Sequence, residues 1–360
     1  MSTNDAIDAA SLTEHAPSPS HVHKDKNPRG QNSTWLRGVL RRIRAGFRRR
    51  EHNRRIGRLY GMIIDRLDTG LELRRPDFER VVDDVRGSEP EGGLLIGLTV
   101  HESPECVIDQ VANLARFAPE AGVVVHLARA FRRRLGIRYQ DLAEDLARAN
   151  PLTIVNPTSF DTVYASGSLL QAQVSNWLVG RAHGRFGRFV TMSSNELLVR
   201  EGIEEHLSRA DVAVSFNPID VPGATGGMWR SRQRRASILG DPIFAHVMGR
   251  TPGRPIVQGI HEGFCMRAEF WDEFASVFDL EFPHREIQYP TEEIYLQNLV
   301  APFLPQLRVV PPICARRLRG ATEAMIREIS SGESPHHFSV KRVARSLDDP
   351  IRRFVRDLPV

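Results

Sequence analysis

Cysteine is scarce and scattered. Cys106, Cys265 and Cys314 lie far apart with no C-x-x-C pair, which argues against a disulfide framework or a zinc site and suits a reducing compartment. No apolar run approaches the roughly 20 residues needed to span a bilayer. The first residues, MSTNDAIDAASLTEH, lack the charged-then-apolar layout of a secretory signal, so the expected location is cytoplasmic. No G-x-G-x-x-G follows the first predicted strand, and no G-x-x-x-x-G-K-[ST] occurs anywhere. A dinucleotide fingerprint and a P-loop are therefore disfavoured. Internal repeats are absent as well.

What the chain does have is an uneven charge. The formal net charge is +5, yet Trp35 to Arg58 holds ten arginines against one glutamate, a local +9 that leaves −4 for the rest. The basicity belongs to one element and says little about the main domain. Within it Leu36, Leu40, Ile43 and Phe47, then Ile56, Leu59, Tyr60 and Ile63, recur at helical spacing and predict a helix, or two, over 35–68. An apolar stripe beside arginines fits an interfacial helix on anionic lipid at the inner membrane face. Packing on the body or on a partner fits equally well. Nucleic acid is the poorer fit, because base-stacking aromatics and a recognition motif are missing.

Residues 1–34 are polar and aperiodic and are expected to be disordered. Residues 35–92 hold the basic helix and a polar connection. From residue 93 strands and helices alternate: LLIGLTVHES, GVVVHLA, LTIVN and GRFVTMSS read as buried strands, with ADVAVSF as a further strand. Between them PECVIDQVANLARFAP, opened by Pro104, YQDLAEDLARAN and VYASGSLLQAQVSNWLVGRAH read as helices. The expected fold is α/β, with a mainly parallel sheet flanked by helices over 93–330 and a basic C-terminal segment over 331–360. The glycine-rich, basic stretch 220–255 reads as an irregular excursion over one face.

One stretch raises the question of chemistry. In YPTEEIYLQNL, Thr291 can cap a helix and leave Glu292 and Glu293 in its first turn, where the macrodipole favours ionised carboxylates. Such acids are common for stability alone, and they are also how a general base is held in its charged form. His101 ends the first strand, where α/β sheets bind ligands, although a strand-end histidine is as often satisfied by backbone.

Several stretches, in order, resemble the core-2/I-branching β-1,6-N-acetylglucosaminyltransferases and their bacterial relatives. They are GLTVHES, VVVHLAR, TVYASGSLLQAQVSNWL, FVTMSSNELLVREGIEEHL, PIVQGIHEGFCMRAEFWDEF and YPTEEIYLQNL, covering about 95–300. The resemblance implies a GT-A-like, Rossmann-type sheet binding a nucleotide sugar, with inversion at the anomeric carbon and neither a metal nor another cofactor. It matches Glu293 to the catalytic base and Glu292 to its acidic neighbour on the acceptor side. Lys341, Arg342 and Arg345 fall to the donor diphosphate, His101 and Tyr164 to the nucleotide, and Ser194, Asn195 and Glu196 to the acceptor. Two features of the sequence bear on this. No carboxylate pair stands after the second or third strand, where Ala128-Arg129-Ala130 and Asn156-Pro157-Thr158 are found. Ala128 also stands where the family often carries an acid that contacts the nucleotide.

The expected function is transfer of a sugar, N-acetylglucosamine or a related hexose, to a hydroxyl of a glycan or lipid-linked acceptor in bacterial surface polysaccharide synthesis. Two alternatives stand beside it. One is a non-catalytic nucleotide- or glycan-binding protein of the same fold, for which Ala128 speaks. The other is a basic-helix adaptor at membrane or nucleic acid.

Overall fold

The computed structural model describes residues 74–163, 165–219, 255–287, 289–315 and 320–359, together with Arg54, Arg58, Ile238, Gly240, Asp241 and Phe244. The disordered segment expected over 1–34, the basic helix over 35–68 (Arg54 and Arg58 apart), Tyr164 and most of the 220–255 excursion lie outside the described residues.

The first strand, β1 (Gly93–Val100), is buried along seven of its eight residues, as a central strand covered on both faces must be. It pairs in parallel with β2 (Gly122–Leu127) on one side and β4 (Phe186–Ser193) on the other, and β3 (Thr153–Val155) extends the sheet beyond β2. Among the described residues, seven strands form this sheet in the order β10-β6-β9-β4-β1-β2-β3. Here β6 is Val212–Ala213, β9 is Cys265–Arg267 and β10 is Val309–Val310. β9 runs antiparallel to both β4 and β6, and the other pairings are parallel. The architecture is an α/β sandwich around a mainly parallel sheet, compatible with a Rossmann-like fold.

Side-chain alternation along the strands divides the core in two. Leu94, Ile96, Leu98 and Val100 of β1 pack with Val107, Val111 and Leu114 of α2 (Pro104–Phe117). Leu142 and Leu146 of α4 (Tyr139–Ala149) join the same cluster. Leu95 and Phe189 face the other way, against Val174 and Trp177 of α5 (Ser168–His183) and Trp271 of α7 (Ala268–Val277). α2 starts as its sequence predicts: Ser103 accepts the Cys106 amide and Pro104 takes the first turn.

Three expectations are corrected. The connection before residue 93 contains a helix, α1 (Phe78–Val85), capped by Asp77 and set against α7 with the Phe78 and Phe270 rings 5.1 Å apart. The strand expected over 210–216 is cut to Val212–Ala213. The long helix expected from Val163 begins only at Ser168, after a turn in which the Ser166 and Ser168 hydroxyls lie 2.7 Å apart and Ala165 takes φ +53°.

The C-terminal segment is woven into the body. β12 (Ser339–Lys341) lies between β11 (Cys314–Ala315), to which it is parallel, and β5 (Glu196–Leu198), to which it is antiparallel. α10 (Pro350–Arg356) then ties down the end of the chain, with Arg352 fully buried and ion-paired to Asp109 at 2.5 Å. All three cysteines are buried and free. Among the described residues, no helix is long and apolar enough to cross a membrane.

Candidate active site

The sheet order reverses at β1, which has β2 on one side and β4 on the other, and ligands of open α/β sheets bind outside the strand ends at such a point. A cavity of about 720 Å³ opens there. Thr99 and His101 at the end of β1, Ala128 after β2, and Ser193, Ser194 and Asn195 at the end of β4 line it. Its lining also takes in Glu292 and Glu293 from the 289–294 turn and Lys341, Arg342 and Arg345 from the C-terminal segment. Of the residues singled out in the sequence, His101, Ser194, Asn195, Glu292, Glu293, Lys341, Arg342 and Arg345 thus meet at one cavity, although they come from four distant parts of the chain.

Glu196 does not face that cavity. It sits opposite Lys341 in the β5–β12 ladder, is fully buried, and accepts hydrogen bonds from Ser339 Oγ at 2.5 Å and the Ser193 amide at 3.2 Å. Burial raises its pKa, against the opposing pull of these hydrogen bonds and of the nearby Lys341 charge. The acceptor contact expected of Glu196 is therefore corrected to a buried support for β12.

The turn that carries the acids also differs from expectation. Thr291–Glu293 is a single 3-10 turn and the α-helix starts at Tyr295, as α8 (Tyr295–Val300). Thr291 makes no capping bond, and its buried hydroxyl has no hydrogen-bond partner. A single short turn has little macrodipole to offer, so neighbouring side chains must hold the carboxylates. Glu293 accepts a hydrogen bond from Gln258 Nε2, while its carbonyl takes the Gly259 amide at 2.9 Å. Asn298 on α8 clamps the other side of this contact through both the amide and the carbonyl of Val257, at 3.0 and 2.7 Å. Glycine is required at 259, where a Cβ would lie 2.4 Å from the Ser215 carbonyl oxygen. Glu292 is buried, and its carbonyl accepts from Gln297 Nε2 at 3.0 Å.

On the cationic side Lys341 forms an ion pair with Glu262. Burial pushes the Lys341 ammonium down to about 8, outweighing the opposing charge of Glu196, and Arg342 adds to the fall. Arg342 itself adopts φ +66°, the left-handed region that non-glycine residues rarely occupy. With Ala165 it is one of the two non-glycine residues so placed among the described residues, and both line the cavity. Strain concentrated at one concave site is a mark of function rather than of folding alone.

Sequence reasoning missed the residues that hold these groups in place. Glu102, only 5% exposed, accepts Ser194 Oγ at 2.6 Å on one oxygen and pairs with Arg345 Nε at 2.8 Å on the other. It thereby joins the end of β1, the end of β4 and the C-terminal segment. Arg345 Nη2 lies 3.2 Å from His101 Nε2. Burial lowers the His101 pKa against the opposing pull of Glu102, whose Oε1 lies 3.4 Å from the same Nε2. His261 and Glu262 enter through a tight turn at Gly263, where φ is +71° and a Cβ would meet the Cys314 amide at 2.6 Å. Desolvation, with Lys341 nearby, takes the His261 pKa down to about 3, so it is neutral. The position of His261 and Glu262 beside Lys341 depends on a strand pairing made some 80 residues later in the chain, which no local pattern shows.

The arrangement offers carboxylates on one wall and cations on another, with small polar groups from Ser193 to Asn195 between them. No protein-family model matches the chain, and no curated protein matches its sequence.

Proposed function

We propose that the protein is an inverting glycosyltransferase of GT-A type that uses a nucleotide-sugar donor and a hydroxyl acceptor. The observation that carries this reading is the meeting of Glu293 with Lys341, Arg342 and Arg345 in one cavity at the switch point of the sheet. The acceptor oxygen attacks the anomeric carbon and gives its proton to Glu293. The bond from that carbon to the diphosphate oxygen breaks, and its electron pair leaves with the nucleoside diphosphate. A single carboxylate suffices, because a diphosphate leaves without protonation. The charge that develops on it is met by Lys341, Arg342 and Arg345, the two guanidinium groups being able to grip phosphate oxygens in pairs. Glu292, Ser194 and Asn195 stand on the acceptor side. The acceptor class we propose is a glycan or its lipid-linked precursor in surface polysaccharide synthesis, with the arginine-rich segment 35–58 docking on anionic lipid at the inner membrane face.

Isothermal titration with a panel of nucleoside diphosphates, in EDTA and then in manganese, tests the donor site. Binding that needs no metal and weakens in Lys341→Ala/Arg342→Ala is expected. Failure of every nucleotide under both conditions would sink the reading.

One observation favours a second reading. Ala128 lines the cavity at the end of β2, its amide bonded to the Val100 carbonyl at 2.9 Å, with no side chain to contact a nucleotide. A binding protein that lost its donor contacts fits that position. Turnover of bound nucleotide sugar separates the two readings: a protein that binds donor and never releases diphosphate is the second.

A further inference from the structure

Many exposed arginines on this protein have a carboxylate partner, although among the described residues Arg75, Arg185 and Arg353 have none within ion-pair distance. Arg80 meets Asp84 at 2.7 Å, Arg86 meets Asp83 at 3.1 Å, Arg181 meets Asp272 at 2.9 Å, and Arg148 and Arg209 pair with Asp145 and Glu205. The stretch from Arg129 to Arg138 breaks the pattern, with five arginines and no acid in RAFRRRLGIR. Arg129 approaches Asp161 at 3.9 Å, and Arg138 lies near enough to Glu105 to lower its pKa, behind backbone and Ser103 hydrogen bonds. Among the described residues, Arg132, Arg133 and Arg134 have no carboxylate within ion-pair distance.

Arg132 serves the fold: it donates to the Pro157 carbonyl at 2.6 Å and lies 4.2 Å over the Tyr139 ring. Arg133 and Arg134 are exposed, and among the described residues Arg134 is held only by a distant 5.7 Å approach to the Phe131 ring and by the His101 carbonyl. They sit on α3 (Arg129–Leu135), which starts directly after β2 and so stands at the rim of the cavity, and Arg134 is part of its lining. Arg134 touches the body through a long 3.5 Å contact to the His101 carbonyl, while Arg345 reaches the ring of the same histidine. Like charges gathered at a concave rim without counter-charges raise the local positive potential and draw in anions. Planar guanidinium forks are matched to phosphate oxygens in particular.

We infer that this rim is a second anion-binding site, in which Arg134 receives a phosphate ester on the substrate that shares the cavity with the diphosphate. The inference rests on the reading of Lys341, Arg342 and Arg345 as the diphosphate site. A phosphorylated sugar and a lipid phosphate headgroup present the same chemistry.

The test is calorimetric titration of inorganic pyrophosphate into full-length protein saturated with the tightest nucleoside diphosphate. Pyrophosphate should bind to the saturated protein, and Arg133→Gln/Arg134→Gln should weaken it about tenfold or more, a loss in keeping with removal of charge-assisted hydrogen bonds. The nucleotide affinity should fall by less than the pyrophosphate affinity, the melting temperature should stay at the wild-type value, and Arg148→Gln should behave as wild type. Pyrophosphate that only competes with nucleotide, or that ignores the double substitution, overturns the inference. If no nucleotide binds at all, the proposed function falls. The rim is then judged by the same variants with pyrophosphate and ligand-free protein, where a tenfold loss upholds the anion site and an unchanged affinity ends it. Parallel titrations with a soluble hexose phosphate and with phosphatidylglycerol vesicles identify the source. Arginine dependence toward either supports the site, and dependence toward neither refutes it.

Discussion

Lys341 is where the charge of the cavity is most easily changed. Its ammonium titrates near 8 in the free protein, and a bound diphosphate favours the charged form and raises that value. Between the two values, binding must draw in a proton, whereas well below 8 the ammonium is already charged and no uptake is needed. Titrating nucleoside diphosphate in buffers of different ionisation enthalpy should therefore show proton uptake at pH 8–9 that fades toward pH 6.5 and is lost in Lys341→Arg. Glu293→Gln removes the proposed base while keeping the side chain's size and its contact with Gln258. Transfer should fall about 100-fold or more, with nucleotide affinity within about twofold of wild type, as steady-state kinetics and calorimetry would show together. Glu102→Ala leaves Arg345 and Ser194 without their shared acceptor. It should weaken nucleotide binding and cost about 1–3 kcal/mol of stability, measured by denaturant unfolding. A variant that unfolds as wild type yet binds normally would remove Glu102 from the supporting role given to it here.

At the scale of elements, the strands from 93 to 193 and the helices α2 and α4 were legible because their burial is local and periodic, whereas α3, with arginines on most of its surface, went unread. β1 reads as continuous apolar sequence because both its faces are covered, and α2 shows its cap, its proline and its stripe in one stretch. The misreadings have equally definite causes. α5 carries apolar and small polar residues all round, since Asn176 and Gln173 turn inward to the carbonyls of Leu98 and Gly97 at 2.9 and 3.3 Å. Periodicity could not mark where that helix begins. The cavity residues of the C-terminal segment could be matched one by one, but β12 owes its place to β5 and β11, which no local pattern announces. Glu196 was misassigned for the same reason: a polar residue after a strand looks exposed until its partner strand is known. The close seating of α5 on the sheet makes its own prediction. A Cβ at Gly97 would lie 2.3 Å from Phe189 Cζ and 2.4 Å from Gln173 Oε1, both fully buried. Gly97→Ala should then cost about 1–3 kcal/mol through overpacking, read as a lowered melting temperature.

For the whole molecule, charge separates the two ends of the sequence more sharply than any fold boundary does. The arginines of 35–58 give that segment +9 and leave the remaining residues at −4. If the segment docks on anionic lipid as proposed, full-length protein should co-sediment with phosphatidylglycerol vesicles at low salt and release as salt rises, since exposed charges are screened beyond about 8 Å at physiological ionic strength. Substitution of Arg48, Arg49 and Arg50 by glutamine should weaken that adsorption about 100-fold, at about 1 kcal/mol for each charge near the surface, with the melting temperature unchanged. Vesicle binding that ignores both salt and these substitutions would assign the segment to another partner.

β12 inserts between β5 and β11, and Arg345 closes on His101 across 244 positions of the chain. Contacts of such sequence separation form late and slowly. During synthesis the cavity must therefore stay without its cationic wall until Ser339 to Arg345 have left the ribosome. A chain still being translated, or one cut short near its end, holds the sheet and the carboxylates but cannot grip a diphosphate. Activity, on the reading proposed here, is reserved for chains that have been translated past Arg345.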